Sequence, residues 1–295
     1  MDKMLQKLKK EYQATPIPIE LDLVVNNALK QKKTSGFKYK WIAGAAAAAA
    51  IFIAGVNSSP TVANAIAKVP VLGELVKVIT FKEFKVNEET YKADIQVPAV
   101  TNLENKTLQN SLNEKYLAEN KQLYDSFMEE VDNLKKNGGG HAGVKSGYEV
   151  KTDNDQILSI LRYNVSTVNT FATYKFDTID KKNQVLLTLP ILFKDESYVK
   201  AISEYIKVQM IEQMKTNPDK MYWLNYPGKK KDDLIPDDAQ FQSIKKDQSY
   251  YVNKDHKLVI CFDKYEAGPG AMGLVEFVIP TDLIANTLVG NEYIQ

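Results

Sequence analysis

The stretch WIAGAAAAAAIFIAGV occupies residues Trp41 to Val56 and contains no charged side chain. A helix rises about 1.5 Å per residue, so these residues extend roughly 24 Å, and flanking residues bring the length close to the roughly 30 Å of a bilayer core. The alanine-rich centre is weakly hydrophobic, which makes the segment short but sufficient. We predict one transmembrane helix, acting as a signal anchor, over residues 39–58.

Lysines are concentrated on the amino-terminal side of this stretch. Five of them fall within residues 30–40, whereas the first charge after the stretch is Lys68. The positive-inside rule therefore predicts that residues 1–38 are cytoplasmic and that the C-terminal domain is extracellular. The expected location is the cell membrane, with a single span.

The part of the chain beyond the span has the composition of a folded domain. Nine of the 38 basic and four of the 37 acidic residues lie in residues 1–40, which leaves 29 basic and 33 acidic residues outside. This mildly acidic balance does not suggest nucleic acid as a partner. The chain has 16 Tyr and 11 Phe, enough to fill a core. A single cysteine, Cys261, excludes an internal disulfide.

The cytoplasmic segment, residues 1–38, is predicted to form two short amphipathic helices joined by the sequence TPIP. These helices have too few apolar positions to enclose a core, so we expect their apolar faces to pack against another surface. One alternative is a basic helix that lies on the membrane. The other is a cytosolic protein that clasps the helices in a groove. The candidate partner-binding residues are Leu5, Leu8, Tyr12, Ile19, Leu21, Leu23 and Val24.

Residues 59–80 form a predicted juxtamembrane linker that contains a signal peptidase site. Ala63 and Ala65 occupy the two small-residue positions of the cleavage pattern, so the cut is expected between Ala65 and Ile66. The overlapping tripeptide 65–67 fits the same pattern and is an alternative cleavage site. We predict a short juxtamembrane helix over Val71 to Ile79, and we expect that without ligand residues 61–67 are held in structure together with it, which protects the site.

The exterior residues show strand and helix periodicities in turn. Strands are predicted near 81–85 and 91–97, and a long apolar stripe predicts a helix over 101–136, capped by Thr101 or Asn102. Alternation then predicts an antiparallel meander, with strands near 148–151, 156–165 and 171–177.

The second half repeats the order of a helix followed by strands. One helix is predicted from Tyr198 to about Thr216, and a short helix follows Pro280. Strands are predicted at 249–252, 257–263 and 273–279. The fold class is therefore α+β, a mixed exterior domain with antiparallel sheets, divided into subdomains 81–183 and 184–295.

The sequence offers little for catalysis. It lacks the HExxH zinc motif, the GxSxG nucleophile elbow and a glycine-rich phosphate loop. Cys261 lies in an apolar strand, where a buried and unreactive thiol is the usual outcome. We expect no catalytic residue, no metal, no cofactor and no enzymatic activity.

A loop between two of the last strands is the better candidate for a binding site. Residues 266–273 hold three glycines and a proline, a composition that restricts the conformations of an exposed loop. A rigid loop can enter a cleft at low entropic cost. The alternative is an ordinary wide hairpin connection.

The whole chain resembles the RsiV-type anti-sigma factors, which are lysozyme-responsive membrane proteins. The resemblance rests on the opening MDKMLQKLKKEYQATPIPIELD, on PTVANAIAKVPVLGELVKVITFKEFKV after the membrane run, and on the exterior blocks DTIDKKNQVLLTL and YEAGPGAMGLVEFVIP. It implies that the cytoplasmic segment sequesters an extracytoplasmic-function sigma factor. It further implies that lysozyme docks outside, signal peptidase cuts near Ala65, a site-2 protease cuts within the span, and the sigma factor is freed.

The resemblance also implies a lysozyme-binding loop. It consists of Glu266, Ala267, Gly268, Pro269, Gly270, Ala271 and Met272. The family pattern has an aromatic residue two positions after this proline, where the present chain has Ala271, so the contact at that position differs.

Two other readings remain open from the sequence. One is a surface-anchored protein that binds or modifies peptidoglycan, which in its enzymatic form needs a metal-binding catalytic domain. The other is a lysozyme inhibitor released constitutively by signal peptidase, which predicts a soluble exterior fragment in cells never exposed to lysozyme.

Overall fold

The computed structural model describes residues 75–167 and 172–295. The predicted cytoplasmic segment, transmembrane helix and cleavage site lie outside these ranges. In the part of the chain that is described, no helix combines the length and the apolar character needed to cross a bilayer.

The described residues form nine strands and three α-helices. The strands are β1 Lys77–Asn87, β2 Tyr91–Thr101, β3 Ala142–Asp153, β4 Ile157–Ser166, β5 Ala172–Asp180, β6 Val185–Leu187, β7 Tyr250–Val252, β8 Leu258–Phe262 and β9 Val275–Ile279. The helices are α1 Lys106–Lys136, α2 Ser197–Thr216 and α3 Thr281–Ile284. The mixed α+β class and the antiparallel sheets predicted from the sequence are confirmed.

Strands β1 to β6 form one sheet in which the spatial order follows the chain order. Strands β3 to β5 are the predicted antiparallel meander, β6 extends it by one short strand, and β1 pairs with β2 in the same antiparallel way. Strands β2 and β3 are parallel, because α1 carries the chain back across the sheet between them. The alternation patterns did not predict this parallel pair.

The amino-terminal end of the sheet corrects one prediction. Residues 77–79, predicted as part of a helix, begin β1, and Lys77 pairs with Thr101 at the far end of β2. β2 is almost wholly buried along its length, so β1 must extend equally far to pair its backbone groups. Val76 and Val78 pack into the core beneath α1. Residues 77–79 therefore form a strand, because pairing with the buried strand β2 outweighs the helical spacing of their apolar side chains.

The first turn of α1 corrects another prediction. Thr101 is the last residue of β2, and Asn102 has a left-handed backbone with φ of 64°. The cap is Asn105, whose side-chain oxygen accepts a hydrogen bond from the Leu108 backbone N–H at 3.1 Å. An asparagine at this position satisfies one of the N–H groups that the first turn leaves unpaired.

Helix α1 lies on the first sheet, against β2 and β3. Its apolar stripe is buried at Leu108, Leu112, Tyr116, Phe127 and Val131, as the sequence pattern predicts. The paired β3 residues end at Ser146, opposite Ile95, so no strand of the described ranges borders the far end of β2 on that side. There the Asn113 side chain of α1 accepts from the Val100 N–H at 2.7 Å and donates to the Val100 carbonyl at 2.8 Å.

Strands β7, β8 and β9 form a second antiparallel sheet. A second core contains the buried face of α2, with Tyr198, Ile202, Ile206 and Met210, together with apolar side chains of this sheet. Strand β6 follows the predicted boundary at 183/184 and pairs with β5 before it. The six-stranded sheet thus draws residues from both predicted subdomains, and the division into two stays a prediction.

The two sheets contact each other through polar and aromatic side chains. The Thr152 hydroxyl donates to the Val252 carbonyl at 2.6 Å. The rings of Phe176 and Tyr251 stack with centroids 5.5 Å apart. Val252 pairs with Leu258, so the hydrogen bond from Thr152 lies at the end of the second sheet opposite the candidate binding loop.

Candidate functional site

The β8–β9 loop, defined as residues 263–274, connects two neighbouring antiparallel strands of the second sheet. Its first residue is anchored to the first sheet, because the Asp263 carboxylate accepts a hydrogen bond from the Tyr174 backbone N–H at 2.8 Å. Burial, followed by repulsion from Glu266, raises the pKa of the Asp263 carboxyl. The loop therefore starts from a fixed point.

The side chain of Glu266 holds the base of the loop. One carboxylate oxygen accepts from the Asp263 backbone N–H at 2.9 Å, and the Glu266 N–H donates to the Asp263 carbonyl at 3.0 Å. The other oxygen accepts from the Lys245 ammonium at 2.7 Å and from the Gln248 amide at 3.2 Å. The hydrogen bond that Lys245 donates to the Glu266 carboxylate raises the pKa of Lys245. Glu266 thus closes a tight turn and ties it to the segment before β7.

A second segment, residues 221–224, supports the middle of the loop. The Trp223 backbone N–H donates to the Ala267 carbonyl at 2.9 Å, and its indole N–H donates to the Tyr265 carbonyl at 3.1 Å. The Trp223 carbonyl in turn accepts from the Phe241 N–H at 2.6 Å. The loop is therefore held from this side by one backbone and one side-chain hydrogen bond, both donated by Trp223.

Two glycines of the loop are required by close approach. A β-carbon at Gly268 would overlap the Met221 carbonyl oxygen, which belongs to the backbone and cannot swing away. A β-carbon at Gly270 would overlap the Tyr265 ring. The glycine-rich composition therefore serves tight packing of the loop, consistent with the restricted conformation inferred from the sequence.

The seven predicted contact residues differ in their exposure. Ala267 and Gly268 are buried, and Met272 packs against the second core. Pro269 and Gly270 are half-buried, and Ala271 is exposed at the tip. Their role in ligand binding stays a prediction, and Ala271 is the most exposed of the seven.

Two exposed side chains, Tyr265 within the loop and Met221 beside it, were not singled out by the sequence. Tyr265 is 52% exposed and Met221 is 53% exposed. Tyr265 also has a left-handed backbone, with φ of 71°. A Tyr next to the Glu-Ala-Gly-Pro-Gly run was visible in the sequence, but its strained backbone was not.

A buried charge cluster lies under α1, away from the loop. Arg162, the only arginine of the chain, lies 2.9 Å from Asp177, and it also bonds Glu119. Its guanidinium carbon is 4.3 Å from the centroid of the Tyr116 ring. Burial alone would raise the pKa of Asp177, but Arg162 and Lys115 outweigh it and lower the pKa to about 2. An open cleft of about 270 Å³ lies beside Arg162 and Glu119.

Reactive groups are sparse in the described ranges. Within residues 75–167 and 172–295, no cluster of three or more His, Cys, Asp or Glu side chains could hold a metal ion. Cys261 is buried as predicted, and this burial raises the pKa of its thiol. The predicted sigma-binding residues between Leu5 and Val24, and the cleavage residues Ala63, Ala65 and Ile66, lie outside the described residues.

Comparison with known proteins adds a family to this geometry. Residues 191–282, which include the whole β8–β9 loop, match the model of a "Protein of unknown function (DUF3298)". A crystal structure of a member of that family from Bacteroides fragilis is 15% identical, with a TM-score of 0.50, and the match covers 73% of this chain and 94% of that one. A second, from Pseudomonas aeruginosa, is 10% identical, with a TM-score of 0.48 over the same shares.

A full-length relative decides the family. The anti-sigma-V factor RsiV of Bacillus subtilis is 47% identical over 299 aligned residues, which cover 100% of both chains. The match therefore extends over the amino-terminal segment and the apolar stretch as well as the exterior region. The chain belongs to the RsiV family of anti-sigma factors.

Proposed function

We propose that the protein is a single-pass membrane anti-sigma factor that releases its sigma factor when its exterior domain binds lysozyme. In the resting state, residues 1–38 hold an extracytoplasmic-function sigma factor in the cytoplasm. Lysozyme binding outside leads to cleavage by signal peptidase and then by a site-2 protease. The freed sigma factor then starts transcription in response to envelope damage.

The observation that carries this proposal is the 47% identity to RsiV over both chains in full. A relative that matched only the exterior domain would leave the cytoplasmic segment unexplained. Here the apolar positions of residues 1–38, which cannot form a core alone, lie within the aligned region. A partner's groove is the surface that such positions need.

Support for an exterior ligand comes from the hydrogen bonds that hold the β8–β9 loop in one conformation. Its base is fixed by Glu266 and its middle by Trp223, so the tip at Pro269 to Ala271 loses little conformational entropy when it enters a cleft. Such a preorganised protrusion suits the active-site cleft of an enzyme. Lysozyme is the occupant that we propose.

Regulation requires that lysozyme prefer one state of the receptor. A ligand with equal affinity for the protected and open forms shifts neither population. We propose that lysozyme binds the form in which the bond between Ala65 and Ile66 is accessible. The signal then depends on that affinity difference.

The test is an immunoblot of the exterior domain in cells before and after lysozyme is added. We expect the intact chain in resting membranes and a shorter chain after lysozyme. Ala65→Phe should abolish the shortening while lysozyme binding is kept. The matched control is Asn64→Phe, because the cleavage pattern restricts only the two positions that flank Asn64.

Three results would overturn the proposal. They are an unchanged chain after lysozyme, persistent cleavage before Ile66 in the Ala65→Phe variant, and complete shedding in cells that never met lysozyme. The last result would instead favour the released inhibitor.

A further inference from the structure

Tyr265 has a backbone conformation that aromatic residues rarely adopt. Its φ of 71° lies in the left-handed region, where the β-carbon crowds the following carbonyl group. The other non-glycine residues with positive φ in the described ranges are Asn102, Gln184 and His256. Asn and His are enriched in this region, whereas a bulky Tyr is an outlier. Strain of this kind persists only where the surroundings enforce it, and it is common at binding sites.

The surroundings of Tyr265 enforce the strain from both sides. Asp263 and Glu266, which flank Lys264 and Tyr265, are joined by two hydrogen bonds. The Asp263 N–H donates to the Glu266 carboxylate, and the Glu266 N–H donates to the Asp263 carbonyl. The Tyr265 carbonyl accepts from the Trp223 indole. The backbone of Tyr265 is thus fixed by groups whose own positions are set elsewhere in the fold.

The effect of this conformation is to hold an aromatic side chain at the surface. The Tyr265 ring lies against Gly270, where an added β-carbon would force the ring to shift, and the residue remains 52% exposed. The Lys264 ammonium lies 5.1 Å from the ring centroid. A tyrosine offers a large contact area at low entropic cost, which is why it is enriched at the energetic centres of protein interfaces.

The Glu266 side chain, by contrast, is turned inward. Its two oxygens accept three hydrogen bonds, from Asp263, Lys245 and Gln248, and its side chain is 23% exposed. A carboxylate that is already engaged in this way has little to offer a ligand directly.

We infer that Tyr265 is a ligand-contact residue of the β8–β9 loop and that Glu266 is a positioning residue that holds it. This inference rests on the proposed function, in which the same loop binds lysozyme. It extends the contact surface of the loop beyond the residues between Glu266 and Met272. It also moves Glu266 from the contact surface to the support beneath it.

The test measures the affinity of the full chain, purified in detergent, for immobilised hen egg-white lysozyme. Tyr265→Ala is expected to weaken binding by about tenfold or more, as is usual for an energetically important interface tyrosine. In the parent chain, Glu266→Ala should weaken binding by a similar factor. In the Tyr265→Ala variant, the same substitution should weaken binding by less than about twofold, because Glu266 affects binding through the position of Tyr265. Glu266→Gln, which keeps an oxygen for the Asp263 N–H, should restore part of the affinity.

The matched controls are Glu196→Ala and Val208→Ala. Glu196 forms an exposed ion pair with Lys246, the neighbour of the lysine that Glu266 binds, and Val208 is an exposed apolar residue of α2. Both should leave the affinity unchanged. Resistance of the exterior region to trypsin verifies that each variant is folded.

The outcomes separate the inference from the proposed function. If the parent chain does not bind lysozyme, the proposed function fails. If the parent chain binds but a folded Tyr265→Ala variant binds within about twofold of it, the contact role is overturned. If Glu266→Ala costs as much in the Tyr265→Ala background as in the parent chain, Glu266 is itself a contact residue and its positioning role is overturned.

Discussion

The Trp223 backbone N–H donates to the Ala267 carbonyl at 2.9 Å, so that a segment remote in sequence fixes the centre of the β8–β9 loop. The loop shape is therefore a property of tertiary contacts as much as of its own glycines.

Gly268→Ala should destabilise the loop. The added methyl group would overlap the Met221 carbonyl oxygen, so the backbone must shift and the bond between Trp223 and Ala267 must weaken. We expect a loss of about 1–3 kcal/mol in the free energy of unfolding, as for other overpacked sites. Urea-dependent proteolysis of the exterior region measures it. The control is Gly290→Ala, where an added β-carbon meets no atom within 4 Å.

Tyr265→Gly should separate stability from binding. Glycine adopts the left-handed conformation without the steric penalty, so the free energy of unfolding should stay level or rise by about 1 kcal/mol. Lysozyme affinity should fall, because the ring is lost. A variant that was both less stable and fully able to bind would contradict the view that the strain is kept for function.

Arg162→Met should be among the most destabilising single substitutions in the exterior region. It leaves Asp177 buried without its guanidinium partner, and removal of one member of a buried pair typically costs about 3–5 kcal/mol. Lys175→Met is the matched control, because Lys175 binds the same Glu119 carboxylate at 3.0 Å but is half-exposed. Exposed ion pairs contribute about 1 kcal/mol or less, so this control should unfold near the parent's urea concentration.

The pH dependence of stability should reflect Asp177. Its pKa in the folded protein is about 2, below the ordinary value of 3.8, so its contribution is complete above about pH 4 and is lost as the pH falls towards 2. The loss should be about 2 kcal/mol, since each pKa unit corresponds to about 1.4 kcal/mol. Urea titrations between pH 6 and 2 measure it. Asp177→Asn should remove this part of the slope, and an unchanged slope would contradict the assignment.

Leu5→Asp and Leu23→Asp should each abolish sigma-factor binding. A charge placed on a stripe that docks in an apolar groove is buried without a partner, and we expect at least about a 100-fold loss. Co-purification of the sigma factor with the tagged full chain measures it. Gln6→Asp, off the apolar stripe, is the control and should retain the partner. Equal retention by all three would favour the alternative in which these helices lie on the membrane.

Local patterns in the sequence predicted most of the individual elements. Helix α1 and the strands of the meander follow from apolar spacing, because each buries one face against a single neighbouring layer. The parallel pairing of β2 with β3 has no local pattern, since it depends on where α1 returns the chain. The start of β1 at Lys77 was missed for the same reason, because the partner that extends the strand lies at Thr101.

The candidate site was predicted in part. Glycine and proline between two strands indicated a fixed loop, and the structure shows what fixes it: Glu266, Trp223 and the Met221 carbonyl. The inward direction of Glu266 and the strain at Tyr265 arise from tertiary contacts, which no spacing in the sequence reports. The surroundings of Arg162 were likewise not predictable from the sequence. The sequence shows that it is the only arginine, but its two acidic partners come from the separate elements α1 and β5.

The position of β1 at the edge of the first sheet has a mechanical consequence. Among residues 75–167 and 172–295 it is bonded on one side only, to β2, and its outermost pair joins Lys77 to Thr101, at the end opposite the hairpin turn. A pull on the chain at Leu75 would load these pairs one after another rather than all together. When the pull is directed away from the edge of the sheet, the pair of Lys77 with Thr101 is loaded first and the pairs next to the hairpin turn are loaded last.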